Sequence, residues 1–230
     1  MSDRVNELER LITYHQEKYY NGEAEIPDAE FDLLWDELRR LDPENPVLNR
    51  VGSDRADGYP KRRHVIPMGS QDKAADPEAF LRWAERVGYD EWIVQYKMDG
   101  ASLELQYEAG LFRYGVTRGD GTVGDDITSN VSQMQGLVDR LPDGFTGAVR
   151  GEVMLSRALH RERYADKANP RNAANGLMKR KDGKGAGDLE IICYDAAEST
   201  RDDFFRREGD KLTWLSENGF HVVQFVTCST

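Results

Sequence analysis

A lysine flanked at two-residue spacing by a carboxamide and a carboxylate, in Gln95-Tyr96-Lys97-Met98-Asp99-Gly100, is the first place where this sequence could do chemistry. On a strand, positions i and i+2 share a face, so Gln95 and Lys97 point one way while Val94 and Tyr96 point the other. Asp99-Gly100 then ends the strand in a turn. An amine held at a strand end beside a carboxamide is unusual placement for a solvated charge, and it is a nucleophile once its proton is removed. A plain hairpin turn would read the same way. The tetrapeptide alone does not decide.

Three further stretches carry reactive or ligand-binding residue types. Thr117 to Asp126 packs Gly119, Gly121 and Gly124 between acidic and hydroxyl residues. Backbone this permissive can approach a phosphate or ribose closely. An acidic surface loop is the alternative, and the spacing of a calcium-binding EF-hand loop is not met. In Val149-Arg150-Gly151-Glu152-Val153, alternation sets Glu152 on the face opposite Val149, Gly151 and Val153, where a lone glutamate is ordinarily just solvated. Asn169-Pro170-Arg171-Asn172-Ala173-Ala174-Asn175-Gly176 joins a turn to the start of a small-residue helix, either a simple turn or an anion site built from its N–H groups.

The elements that must position these residues fall into two textures. Residues 1–50 read as helices: Val5, Leu8, Ile12 and Tyr19 form a loose stripe ended by Asn21-Gly22. Pro27 opens a second helix with Phe31, Leu34, Trp35, Leu38 and Leu41 on one face, stopped by Pro43 and Pro46. Residues 51–75 form a linker and the start of a second domain, which fills 76–230. There the pattern predicts a helix over 77–87 with Phe80, Leu81, Ala84 and Val87 inward, and further helices at 156–167 and 202–218. Strands are predicted at 92–97, 101–108, 111–118, 147–155, 189–194 and 219–227, with Glu108-Ala109-Gly110 as a hairpin turn. The fold class is α+β, a small helical domain followed by a domain of antiparallel sheet.

Composition bounds the rest. Hydrophobic residues make up 39% and charged residues 32% of the 230, the balance of a globular protein. No apolar run approaches the ~20 residues of a membrane span and the N-terminus has no signal-peptide character, so no membrane association and a cytoplasmic location are expected. Two cysteines without a CxxC and four scattered histidines give no readable zinc site. The net charge of −11 opposes unaided binding of nucleic acid, which needs a basic surface, local or lent by a partner.

In this order the four stretches resemble the adenylation domain of the NAD-dependent DNA ligases, whose motifs read Lys-x-Asp-Gly, Thr-Arg-Gly-Asp-Gly-x-x-Gly-x-Asp-Ile-Thr-x-Asn, Arg-Gly-Glu-Val and Asn-Pro-Arg-Asn-Ala-Ala. They stand here at Lys97–Gly100, Thr117–Asn130, Arg150–Val153 and Asn169–Ala174. Tyr19-Tyr20 and Ile26-Pro27-Asp28-Ala29-Glu30-Phe31-Asp32 are similar to the helical domain of that branch, which clasps the nicotinamide mononucleotide (NMN) half of NAD. The resemblance implies an ATP-grasp-like nucleotidyltransferase domain, truncated at its C-terminal end. It also implies NAD and Mg²⁺, AMP transfer to Lys97, and nicked double-stranded DNA as the final partner.

By resemblance, Lys97 is the nucleophile and Asp99 orients it. Glu152 holds the ribose hydroxyls, Arg118 the adenosine end, and Tyr194 stacks on adenine. Ser70, Gln71 and Gln95 lie on the adenine side, and Arg171 and Lys179 touch phosphate. Tyr19, Tyr20, Asp28, Phe31 and Asp32 form the nicotinamide side. Several positions depart from the family pattern: Gln95 stands for glutamate, Phe31 for tyrosine, Gln71 for leucine and Lys179 for arginine. The later Asp-Gly-Val-Val-x-Lys and Lys-x-Pro motifs do not occur before Thr230. The expectation is therefore one subunit of a split ligase, with a second chain supplying those motifs and the DNA-binding domains. The alternative is a non-catalytic remnant that binds NAD or a partner, against which the intact Lys97, Asp99, Arg118 and Glu152 stand.

Overall fold

Two separate apolar clusters organise the chain in the computed structural model, which describes residues 2–21, 24–49, 58–69, 74, 76–201 and 203–229. The first belongs to helices α1 (Ser2–Asn21) and α2 (Asp28–Leu41). Leu8, Ile12 and Leu38 are fully buried, with Val5, Phe31, Leu34, Trp35 and Leu41 packed around them. This is the predicted stripe of α2 meeting that of α1. Pro27 precedes α2 with φ −63°, the value its ring imposes and a helix start accepts. Arg4 clamps Glu37 across the pair at 2.9 and 2.6 Å.

The second cluster lies under a four-stranded antiparallel sheet. The strands among the described residues are β1 (Lys61–Arg63), β2 (Glu91–Gln95), β3 (Ala101–Glu108), β4 (Leu111–Thr117), β5 (Val123–Asp125), β6 (Gly147–Met154), β7 (Glu190–Glu198) and β8 (Phe225–Ser229). The large sheet runs β4-β3-β6-β7, while β1 pairs with β5 and β2 with β8. Alternation gives the large sheet two unlike faces. Leu103, Leu105, Val149, Val153, Ile191 and Cys193 point to the core. There they meet Val131 of α4 (Thr128–Val131), Ala173, Ala174, Leu177 and Met178 of α6 (Pro170–Met178), and Leu212 and Leu215 of α7 (Glu208–Glu217). The opposite face carries Ser102, Glu104, Gln106, Arg150 and Glu152, because Ser102 is registered with Glu152 and Glu104 with Arg150. Burying the apolar face stabilises the domain; the polar face is left for a ligand or a covering segment.

Several predicted elements shift. The helix α3 (Pro77–Val87) forms, capped by the Asp76 side chain accepting from Ala79 N–H at 2.7 Å, but none of its residues is buried. Phe80 and Leu81, expected inward, are 46% and 58% exposed, since β2–β8 offers only a narrow surface to cover them. The strand expected over 92–97 stops at Gln95, where its partner Phe225 begins β8 and the ladder ends. The final strand is correspondingly late, starting at Phe225 after a single bridge of Val222 to Cys193. The helix expected over 156–167 is α5 (Arg157–Arg163). The helix predicted at 202–218 covers Glu208–Glu217, followed by Gly219 at φ 84°.

The glycine-rich loop is fixed by contact as much as by conformation. A Cβ on Gly124 would sit 1.7 Å from the carbonyl oxygen of Thr117, so β5 approaches the end of β4 as only glycine allows. Gly124→Ala is expected to cost about 3 kcal/mol through this overlap. That lowers the melting temperature by about 10 °C in a thermal denaturation scan.

Candidate functional site

The site assembles where the polar face of the sheet runs out from under its cover. Residues 63–67 cross that face and satisfy its inner half. The Gln106 amide donates to Arg63 O at 2.9 Å, Glu104 accepts from Val65 N–H at 2.9 Å, and Arg150 donates to Pro67 O at 2.8 Å. The outer half, with Ser102, Glu152 and Tyr194, is left facing the Lys97 loop and the start of α6.

Glu152 is the centre of this outer half. It accepts from Gly100 N–H at 3.2 Å and from the Ser102 hydroxyl at 3.1 Å, which brings the Lys-Met-Asp-Gly turn against β6. A Cβ on Gly100 would meet Val153 O at 2.4 Å, so the turn needs glycine to reach this depth. Burial pushes the Glu152 carboxyl above its ordinary value, while Ser102, Gly100 and the charges of Arg171 and Lys97 pull it back. Lys97 and Arg171 are thus close enough to act electrostatically on Glu152. Lys97 itself is exposed, on the loop between β2 and β3, rather than turned inward from a strand end. Gln95 is exposed too, as the last residue of β2.

Tyr194 lies on the same face at an irregularity in the ladder. The register slips between Arg150 and Gly151, so that Gly151 pairs with Cys193 and Arg150 with Asp195. Tyr194, two positions beyond the Ile192 registered with Glu152, keeps the site side, and the bulge brings Asp195 onto that side as well. Burial pushes its phenol up to about 12; the Glu152 charge adds to this, and Arg150 and Arg118 oppose it. Arg118 follows β4, its guanidinium donating to Met68 O at 3.4 Å and its own carbonyl accepting from His64.

Arg171, in the first turn of α6, connects three regions. The cap of α6 is the Asn169 side chain, accepting from Asn172 N–H at 2.8 Å with Pro170 in the first turn. The guanidinium lies over the Tyr19 ring at 4.2 Å, donates to the Tyr19 hydroxyl, and stands 3.5 Å from the Asp99 carboxylate. Tyr19 of the helical segment is thereby tied to the lysine turn. At the other end of α6, Lys179 is buried enough that desolvation alone lowers its amine to about 7. The turn that carries it is held by Asn130, whose amide donates to Met178 O at 2.9 Å and Arg180 O at 2.8 Å.

Of the residues singled out in sequence, Lys97, Asp99, Glu152, Arg118, Arg171, Tyr194 and Tyr19 are linked by these contacts and fields. Phe31 is not part of this set: its ring packs on Trp35 at 5.9 Å in the helical core. Asp32 sits part-buried on α2. Ser70 and Gln71, and the side chains of Tyr20 and Asp28, lie outside the described residues. Among the described residues no three His, Cys, Asp or Glu side chains cluster as a metal site. No helix among them is long and apolar enough to cross a membrane. Sequence reading missed His64, Glu104, Gln106 and Arg150 as a set. The signal is the Ser102-Glu104-Gln106 alternation, polar at every position on that face of the sheet.

Comparison with known proteins supplies the family. Residues 56–230 match the family model of the NAD-dependent DNA ligase adenylation domain, and residues 1–54 that of the DNA ligase-like, N-terminal NAD+-binding domain. A DNA ligase of Treponema denticola is 48% identical over 242 residues, covering 99% of this chain and 38% of the relative. One of Treponema pallidum is 49% identical over 98% of the chain and 29% of the relative, and one of Sorangium cellulosum 35% identical over 96% and 36%. The chain therefore spans between 29% and 38% of the length of these relatives. With both matches in chain order, this protein belongs to the NAD-dependent DNA ligase family, as an N-terminal NAD+-binding domain followed by an adenylation domain.

Proposed function

We propose that this chain is the nucleotide-loading part of an NAD-dependent DNA ligase, with Lys97 as the residue that accepts AMP. The observation that carries the reading is the convergence on Glu152: the Lys97 turn is bonded to it through Gly100, and the charges of Lys97 and Arg171 both act on it. Glu152 and Ser102 then face the ribose, Tyr194 the adenine ring, and Arg118 the adenosine end. Gln95, Ser70 and Gln71 are assigned to the adenine side as well. Tyr19, Tyr20, Asp28 and Asp32 are assigned to the nicotinamide side, while Phe31 contributes by packing α2.

In the reaction the Lys97 Nζ lone pair attacks the α-phosphorus of NAD. A P–N bond forms, the bond to the bridging oxygen breaks, and NMN leaves with the electron pair. Free lysine, with a pKa of ~10.4, is neutral about once in 2,500 molecules at pH 7. Attack therefore requires the bound nucleotide and its cation to favour the neutral amine. Arg171, 3.5 Å from Asp99 on the turn that carries Lys97, is assigned to neutralise phosphate charge. Mg²⁺ carried on the substrate phosphates needs only one or two carboxylates, and Asp99, on the turn that carries Lys97, would suit it; bound there, it would polarise the phosphate.

Sealing of nicked DNA is assigned to this chain together with a second subunit, in the cytoplasm. Two features support the partner: the net charge of −11, which opposes lone binding to DNA, and the two-stranded β2–β8 sheet, where Val94, Phe225 and Val226 are exposed next to Tyr96 of the following loop. The test is mass spectrometry after incubation with NAD and Mg²⁺, with and without a candidate partner chain. Gain of one AMP on Lys97 is expected. A chain that never gains it is a binding remnant, and one that seals nicks alone at ordinary ligase rates needs no second subunit.

A further inference from the structure

The inner half of the polar face holds a group that the proposed chemistry does not use. His64 and Glu104 have fully buried side chains, with Nδ1 of His64 3.3 Å from a Glu104 carboxylate oxygen. The other ring nitrogen, Nε2, lies 2.9 Å from the carbonyl oxygen of Arg118. A carbonyl only accepts, so Nε2 must carry a proton there. Nδ1 is sealed from solvent beside the Glu104 carboxylate, so the ring is bonded at one edge and packed against a fixed carboxylate at the other, which gives it one orientation.

Glu104 is held just as firmly. It accepts from Val65 N–H at 2.9 Å, Ile66 N–H at 3.4 Å and the Gln106 amide at 2.7 Å. Against its burial, these donors and His64 keep the carboxyl below its ordinary value. The backbone adds two ties between the same segments: His64 N–H to Thr122 O at 2.9 Å and Met68 N–H to Gly121 O at 2.7 Å. The ring thus sits between a fixed carboxylate on β3 and the peptide of Arg118, whose guanidinium reaches back to Met68. A residue in this position sets where the Arg118 side chain starts.

We propose that His64, braced by Glu104, is a positioning residue that fixes Arg118 for the adenosine end of the nucleotide. The proposal rests on the nucleotide site assigned above, although not on AMP transfer to Lys97. Its test separates the two edges of the ring. A glutamine amide reaches about as far as Nε2 and keeps the donor to Arg118 O, whereas an asparagine amide reaches about as far as Nδ1 and keeps only Glu104. AMP affinity, measured by calorimetry on the full chain, is expected to fall about tenfold in His64→Asn and to stay within about threefold of the parent in His64→Gln. In the same way Glu104→Ala, which lets the ring swing, weakens AMP about tenfold, and Glu104→Gln, which still fills the place beside Nδ1, does not.

Melting curves report folding separately, and the Glu104 pair answers the question should His64→Asn not fold. Equal affinities for His64→Gln and His64→Asn overturn the proposal, as does a folded Glu104→Ala that binds AMP like the parent. A parent chain without affinity for AMP at millimolar concentration overturns it too. AMP binding with this pattern but no lysyl-AMP on incubation with NAD would sink the lysine-transfer reading and leave His64 in its role.

Discussion

Lys97→Arg is expected to abolish lysyl-AMP formation while leaving AMP affinity and melting temperature close to those of the parent. Arginine keeps the positive charge that acts on Glu152, so the electrostatics of the empty site are preserved. Its guanidinium does not give up a proton in proteins, so no lone pair is available to attack phosphorus. The expected loss is on the scale of removing a nucleophile from a covalent mechanism, roughly 10⁶-fold. Because Lys97 is exposed, stability should change by no more than about 0.5 kcal/mol, or about 2 °C. Intact-mass measurement after incubation with NAD reads the first effect and a thermal scan the second. AMP still transferred to Lys97→Arg would assign the nucleophile to another residue.

This outcome separates chemistry from placement, and placement is where sequence and structure part company. Alternation in residues 101–108 and 147–153 was enough to put Glu152 on a polar face, because a strand's period of two is rigid. It was not enough to reveal that Glu104 and Arg150 on that same face are covered. Which polar residues stay open depends on the path of residues 63–67, and those residues carry no periodic signal of their own. The pairing of β1 with β5 was invisible for the same reason: three-residue strands have no pattern to read.

The bulge at Tyr194 shows a different limit. Counting along 189–194 predicts a strand, and the aromatic ring's direction then follows from parity. The register slip between Arg150 and Gly151 inserts one residue, so Tyr194 and its neighbour Asp195 both serve the site side of the sheet. Lys97 errs in the opposite sense. The residue pattern carries the strand through to it, yet pairing with β8 ends at Gln95 and the lysine belongs to the loop. In the helical segment the α2 stripe was fully legible, and it explains Phe31 as a packing residue. The contact of Tyr19 with Arg171 joins positions far apart in sequence and could be seen only in three dimensions.

Glu152→Gln is expected to make the empty protein more stable at neutral pH and the nucleotide complex weaker. The carboxyl of Glu152 is held above its ordinary value chiefly by burial. A carboxyl raised in the folded state favours folding fully below its unfolded value of ~4.3, and that advantage is lost as the pH rises through the folded value. Near pH 8 the ionised side chain therefore costs stability in the absence of ligand, and glutamine, nearly the same shape, does not incur that cost. The variant should melt above the parent near pH 8, and the two should converge as the pH falls toward ~4, where the parent carboxyl is protonated. Binding runs the other way. Hydrogen bonds from ribose hydroxyls to a carboxylate are roughly twice as strong as those to a neutral amide, so AMP affinity should fall about tenfold. A group that destabilises its own fold while strengthening a ligand is what a binding site, and not a structural contact, requires. If Glu152→Gln instead lowered the melting temperature near pH 8 and left AMP affinity unchanged, Glu152 would be a structural brace for the Gly100 turn, and the sugar would have to be held elsewhere.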